Sequence, residues 1–217
     1  MFNPNTNKTS IKYSFLSHAG GQPLEYIYLS GVTGDAQYSE RVVKIRTVLK
    51  NADKKEGLYR SKIDINGNWL LHADFYQILG DRSNAFYFGL LKSHLQSAGR
   101  DAESLAMYRE AIESVEKSGM MLRKSKYNFD YVTSYQGDEM HYSSCSLGAM
   151  LSLGAQAIAT ASTGDSAAAE LAARHRQLAK GITETCYAAT NRTATRLPSE
   201  YIIKEDDFVN WGSYYLR

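Results

Sequence analysis

Three short turns divide the chain at even intervals. They are Thr33-Gly34-Asp35-Ala36, Gly99-Arg100-Asp101-Ala102 and Thr163-Gly164-Asp165-Ser166, and their glycines stand 65 residues apart, twice over. Glycine tolerates the left-handed backbone that ends a helix, and aspartate accepts backbone N–H bonds at the start of the next one. Each turn joins two segments of helical period: 18 to 31 with 37 to 51, 84 to 97 with 101 to 117, and 144 to 161 with 166 to 190. A chain punctuated in this way is a repeat of helical hairpins.

Between the pairs the period changes. Leu58 to Leu71 carries β-branched residues around Asn66-Gly67, a dipeptide of tight hairpin turns. Two more extended regions, Tyr127 to Tyr135 and Glu200 to Val209, flank the third pair. Helical hairpins with a steady offset stack into an open solenoid or curl into a closed toroid. β-Hairpins inserted at the same point of every unit fall on one face, which favours a ring with a functional face. The second helix of each pair is amphipathic and belongs outside, as Leu105, Tyr108, Ala111, Ile112 and Val115 show by their spacing. Ser146 to Ala161 contains no charge, which predicts an inner helix buried all round. The fold class expected is mainly α, part of an (α/α) toroid with interposed β-hairpins. It forms one domain over 17–217 after a poorly ordered leader, 1–16.

Composition removes other classes of function. Of 217 residues, 43% are hydrophobic and 22% charged, enough to bury one substantial core, and the formal charge of +2 is spread without a basic block. Nucleic acid and anionic membrane are therefore poor candidates as partners. No apolar run approaches the roughly 20 residues of a membrane span, and the N-terminus is polar where a signal peptide is apolar. The five histidines, His18, His72, His94, His141 and His175, lack zinc spacing. Cys145 and Cys186 are open to two readings, one disulfide or two thiols. Asn7-Lys8-Thr9 and Asn191-Arg192-Thr193 are acceptor patterns for N-glycosylation.

Several blocks then match one family in order: "LEYIYLSGVTGDAQYSERVVKIRTVL", "GLYRSKIDINGNW", "LLKSHL", "MYREAIESVEK", "MLSLGA", "LAKGITETCY" and "NRTATRLPSE". From about Ser17 to Arg217 the chain resembles glycoside hydrolase family 47, the class I α-1,2-mannosidases that trim N-linked glycans, with the Golgi-type members most alike. The resemblance implies a toroid of seven helical hairpins, of which about three units are present. It implies calcium-dependent inverting hydrolysis, with acid and base groups roughly 6.5 to 9.5 Å apart. It also implies mannose-rich N-glycans or glycoproteins as partners, and the Golgi or endoplasmic reticulum as location.

By this resemblance Asp81 matches a catalytic carboxylate in a G-D-S-F-Y-E-Y-L-L-K pattern. About three residues are inserted here, giving "GDRSNAFYFGLLK", so Phe88 falls on a sugar-contacting Glu position and Gly89 on an aromatic one. The plain reading of Asp81 is a helix cap, and that of Phe88 is packed core. His18 stands where the family has a substrate-contacting Glu, against a plain capping or solvated role, while Glu25 keeps the next acid. Glu200 matches a sugar-contacting acid or is a solvated strand end, and Arg217 matches a sugar-binding Arg. Cys145 and Cys186 match the family's disulfide cysteines. The first catalytic Glu and the calcium-binding threonine have no match here, and calcium's ligand segment is absent from these residues. The expectation is a mannosidase family member covering the middle of the catalytic domain, inactive alone and prone to self-association. The alternative is a non-catalytic glycan- or glycoprotein-binding protein.

Overall fold

A computed structural model describes residues 2–3, 8–9, 13–52, 54, 57–64, 83–118, 122–133, 138–205 and 207–208. In chain order, β1 (Phe2–Asn3), β2 (Lys8–Thr9) and β3 (Tyr13–Phe15) precede α1 (Leu16–Gly21), α2 (Pro23–Thr33) and α3 (Gln37–Asn51). β4 (Lys62–Asp64), α4 (Asn84–Gln96) and α5 (Ala102–Ser118) follow. The third unit holds β5 (Leu122–Lys124), β6 (Asp130–Val132) and β7 (Glu139–His141). A 3₁₀ turn (Tyr142–Cys145) then leads into α6 (Ser146–Ala161), α7 (Ser166–Asn191), β8 (Tyr201–Lys204) and β9 (Asp207–Phe208).

The repeated turns are built as their chemistry requires. Gly34, Gly99 and Gly164 have φ of 73°, 83° and 88°. After each glycine the aspartate accepts a backbone N–H from the helix it opens: Gln37 to Asp35 at 3.0 Å, Ser104 to Asp101 at 3.0 Å and Ala167 to Asp165 at 2.9 Å. Asp101 also receives the Ser104 hydroxyl at 2.8 Å and the Arg46 guanidinium at 2.6 Å. Burial pushes its carboxyl up, but these donors outweigh burial and hold it below the usual carboxylate range.

Where one helix was expected over 18 to 31 there are two. The chain breaks at Gln22 and restarts with Pro23 in the first turn of α2, where the missing N–H is harmless. α1 and α2 pack on α4, and α4 packs on α6, making an inner row; α3, α5 and α7 back α2, α4 and α6 in turn. The outer row is laced by Lys50–Glu103 and Lys54–Glu110 pairs besides Arg46–Asp101. Tyr59, Tyr87, Tyr108, Leu91 and Met150 lie fully buried in the core.

α6 is not buried all round. Ser152, Gln156 and Thr160 recur every fourth residue and stand exposed beside Leu153, because a helix without charge still has a polar stripe. With its 3₁₀ turn, Tyr142–Ala161 gives 20 helical residues of mean hydropathy 1.2, more apolar than the sequence reading allowed. It packs on α4 and α7 and is tied to α7, the packing of a core helix.

The strands close the ends of the helical pairs. β5 and β6 form a hairpin, and β7, β8 and β9 a sheet in which β8 is central. The Asn66-Gly67 turn lies outside the described residues, but β4 pairs antiparallel with β3, Tyr13 opposite Asp64. Tyr13–Phe15, assigned to the leader from sequence, thus forms a ladder with the domain, and Leu16 is fully buried.

Two close contacts fix the arc. α1 meets α4 backbone to backbone: a Cβ on Gly89 would stand 2.5 Å from the Gly20 carbonyl oxygen, and one on Gly20 would stand 2.0 Å from Phe86 Cα. The Cys145–Cys186 disulfide joins the 3₁₀ turn to α7, with Cα atoms 5.9 Å apart.

Gly89→Ala is expected to lower unfolding free energy by about 1–3 kcal/mol, because the methyl meets backbone that cannot yield. Gly31→Ala, with nothing within 4 Å of its Cβ, is expected to stabilise by up to about 1 kcal/mol. Denaturant titration of both variants checks the contrast. Reduction of the disulfide, which closes 41 residues, is expected to cost about 4 kcal/mol by loop entropy. Thermal melts with and without reductant, paired with a two-proton mass change, measure it.

Candidate functional site

The N-terminal ends of α4 and α6 meet, and the polar groups gather there. Asn84, the first residue of α4, donates its side-chain amide to the Ser143 carbonyl and to Ser146 Oγ, both at 2.8 Å. Ser146 Oγ donates in turn to the same Ser143 carbonyl at 2.9 Å. One side chain thereby ties the second helical pair to the third where β7 and β8 run alongside.

His141, the last residue of β7, caps the 3₁₀ turn: its Nδ1 accepts the Ser143 N–H at 3.1 Å and lies 2.7 Å from Ser143 Oγ. Its Nε2 faces Glu200 Oε1 at 3.9 Å. Glu200 is half-exposed beside β8, and its carbonyl accepts the Tyr142 N–H at 2.9 Å. The Tyr142 ring lies 4.7 Å from the His141 ring at a 35° tilt, and Tyr201 approaches it edge-on at 5.5 Å. A carboxylate, an imidazole and two aromatic rings thus stand together where β7 and β8 meet.

Of the remaining residues singled out by sequence, the described ones are dispersed. Asp81 and Arg217 lie outside the described residues; α4 begins at Asn84 with Ser83 at its N-cap. Glu25 is exposed in the first turn of α2, with α4 between that helix and α6. His18 is exposed on α1, 3.1 Å from Ser14 Oγ through Nδ1 and edge-on to Phe15, a local arrangement of the helix start. Phe88 is half-buried against the core with Lys92 Nζ 4.2 Å above its ring, so it packs and binds a cation. Asn84 and His141 were not singled out for this site by sequence reasoning. The available signal was a histidine ending an extended segment just before Cys145.

Another histidine has the outward signs of a site. His175 is fully buried between α5 and α7, with Nε2 3.8 Å from Glu116 Oε1 and the Tyr108 ring edge-on. Burial first, then the nearby Arg174 and Arg109, pushes its pKa down to about 4. Burial raises Glu116 above its usual value. Neither histidine nitrogen has a hydrogen-bond partner, so the ring serves as packing.

The described fold is a two-layer arc of helical hairpins, the α/α class of toroid-forming domains. The chain belongs to glycosyl hydrolase family 47, whose family model matches residues 2–210. It is 33% identical over 192 residues to mannosyl-oligosaccharide 1,2-alpha-mannosidase IC of Homo sapiens, covering 86% of this chain and 28% of that protein. Against mannosyl-oligosaccharide 1,2-alpha-mannosidase IA of Sus scrofa the identity is 32%, covering 86% and 27%. The fold superposes on alpha-1,2-mannosidase from Trichoderma reesei with a TM-score of 0.75 at 14% identity, over 94% of this chain and 41% of that one. The chain thus spans less than a third of the length of these two curated relatives.

The folded state holds His175 neutral where the unfolded chain takes up a proton, so stability is lost as pH falls from about 6.5 towards 4. The loss amounts to about 3 kcal/mol at most. His175→Leu is expected to flatten that decline, and urea titrations from pH 7 to pH 4 on both proteins measure the difference.

Proposed function

We propose that these 217 residues form part of the catalytic domain of an α-1,2-mannosidase that trims mannose-rich N-glycans by inverting hydrolysis, and that alone they bind glycan without cleaving it. The family match over residues 2–210 carries this reading. Inverting chemistry needs an acid and a base on opposite faces of the sugar, roughly 6.5 to 9.5 Å apart. Of the residues matched by resemblance only Asp81 has a catalytic role; Glu25, Glu200 and Arg217 have substrate-contact roles. Positions 18 and 88, Glu in the family pattern, hold His and Phe, and neither supplies a carboxylate.

Calcium is the metal the family implies. Among the described residues no group of three or more His, Cys, Asp and Glu side chains could hold a metal ion, so no step through calcium is assigned to them. A lumenal, secretory-pathway location is supported by the disulfide, which persists in oxidising compartments. Self-association is supported by Tyr28, Val32 and Val43, large apolar side chains exposed on the first helical pair. The replacement of two sugar-contacting glutamates counts against hydrolysis and against ordinary sugar binding alike; the second reading is a glycan- or glycoprotein-binding protein without catalysis.

Incubation of the chain with a mannose-rich N-glycan is expected to release no mannose, with or without a calcium chelator, while the glycan still binds. Release that the chelator abolishes would overturn the non-catalytic part of the proposal. Absence of both release and binding would overturn the glycan reading itself.

A further inference from the structure

The two junctions between helical pairs share one charge register. Arg46, Lys50 and Lys54 stand 11, 15 and 19 residues after the turn aspartate Asp35, along one face of α3 and its exit. They pair at 2.6, 2.5 and 2.8 Å with Asp101, Glu103 and Glu110, the next turn aspartate and the residues 2 and 9 places after it. The second junction reuses the register: Glu116, 15 residues after Asp101, meets Arg174, 9 residues after Asp165, at 3.6 Å. Late positions of one outer helix thus face early positions of the next.

The same late positions on α7 are Arg176, Lys180 and Glu184, an exposed row spaced by four residues. The same early positions on the first pair are Asp35, Gln37 and Lys44, half-exposed at Asp35 and exposed at the other two. In the register of the inner junctions Arg176 meets Asp35 as Arg46 meets Asp101. Glu184 meets Lys44 as Lys54 meets Glu110, with the charges exchanged, and Lys180 comes opposite the accepting oxygen of Gln37. Among the described residues Arg176 and Lys44 form no ion pair, while Lys180 and Glu184 pair with each other across 3.8 Å of open surface. The inner layer adds apolar area. α4, packed by helices on both sides, buries Phe86, Leu90 and Leu91, whereas α2, its counterpart in the first pair, buries no residue. Tyr28, Leu29 and Val32 share one side of α2, and α6 presents Leu153 at the other end of the arc, all four exposed.

We propose that the uncovered face of α2 and α3 is the docking surface for α6 and α7 of a second copy of this chain, head to tail, with Arg176 and Glu184 of one copy pairing with Asp35 and Lys44 of the next. The two surfaces differ, so the contact is heterologous, and each copy keeps one surface of either kind for a further copy. This gives a geometry to the self-association read above from exposed apolar residues, and it rests on that reading.

The test is sedimentation velocity of the 217-residue chain over a wide range of concentration, where average mass is expected to rise with concentration. Glu184→Lys and Lys44→Glu change exposed side chains and leave the fold intact. Each is expected to weaken association at least about threefold, since an attractive pair becomes a repulsive one. Both together in one chain restore the pair and are expected to return association to the wild-type level. Glu184→Lys combined with Lys117→Glu, an exposed position on α5, restores the net charge without the pair and is expected to stay weak. Val32→Asp, which places a charge in the apolar contact, is expected to lower association at least about tenfold. Association unchanged by the single reversals or by Val32→Asp, or rescued by Lys117→Glu as well as by Lys44→Glu, would overturn the head-to-tail register while leaving self-association in place. A chain that stays monomeric at every concentration would overturn both.

Discussion

Everything in the inner row depends on how closely α1 lies on α4. At Gly20 and Gly89 the two backbones touch where any side chain would collide, so neither position can carry one. That contact gives Gly89 its role, since the helix crossing leaves no room for a side chain there. Its neighbour Phe88 stays half-buried under the Lys92 ammonium, and a carboxylate there would lose both the packing and the favourable ring face. From this crossing α4 runs back to Asn84, whose amide reaches the start of α6. The disulfide then holds the start of α6 to α7. The end where these polar groups gather is therefore placed by contacts distributed through three helical pairs.

Local chemistry was legible and non-local pairing was not. The three glycine-aspartate turns could be read outright because left-handed glycine and an accepting carboxylate act within four residues, and all three are present. The pairing of Cys145 with Cys186, left open by spacing and suggested by the family likeness, is formed. The break at Gln22 was missed although Pro23 was visible, since apolar residues continue at helical spacing on both sides of it. The wet stripe of α6 was missed because Ser152, Gln156 and Thr160 carry no charge. Asn66-Gly67 signals a turn but cannot name a distant ladder, and the partner found for β4 is β3 near the N-terminus. Of the residues gathered where α4 and α6 begin, Glu200 was singled out through its match, whereas the structural roles of Asn84 and His141 emerge only when two helix starts and two strands meet.

Among the described residues two histidine–glutamate pairs have nearly equal separation, 3.9 Å for His141–Glu200 and 3.8 Å for His175–Glu116. Distance alone ranks them together, yet their environments assign opposite roles. His175 has no access to solvent and no partner on either nitrogen, so burial keeps its ring uncharged and its value lies in filling space between α5 and α7. His141 has one nitrogen fixed by Ser143, which settles its tautomer, and its other nitrogen opens towards a half-exposed carboxylate. A pair becomes a binding site when one member is oriented by the protein and both retain unused hydrogen-bonding capacity where a ligand can reach. By that criterion the accessible pair is the one where α6 and β8 begin, and the more strongly perturbed titrating group belongs to the packing.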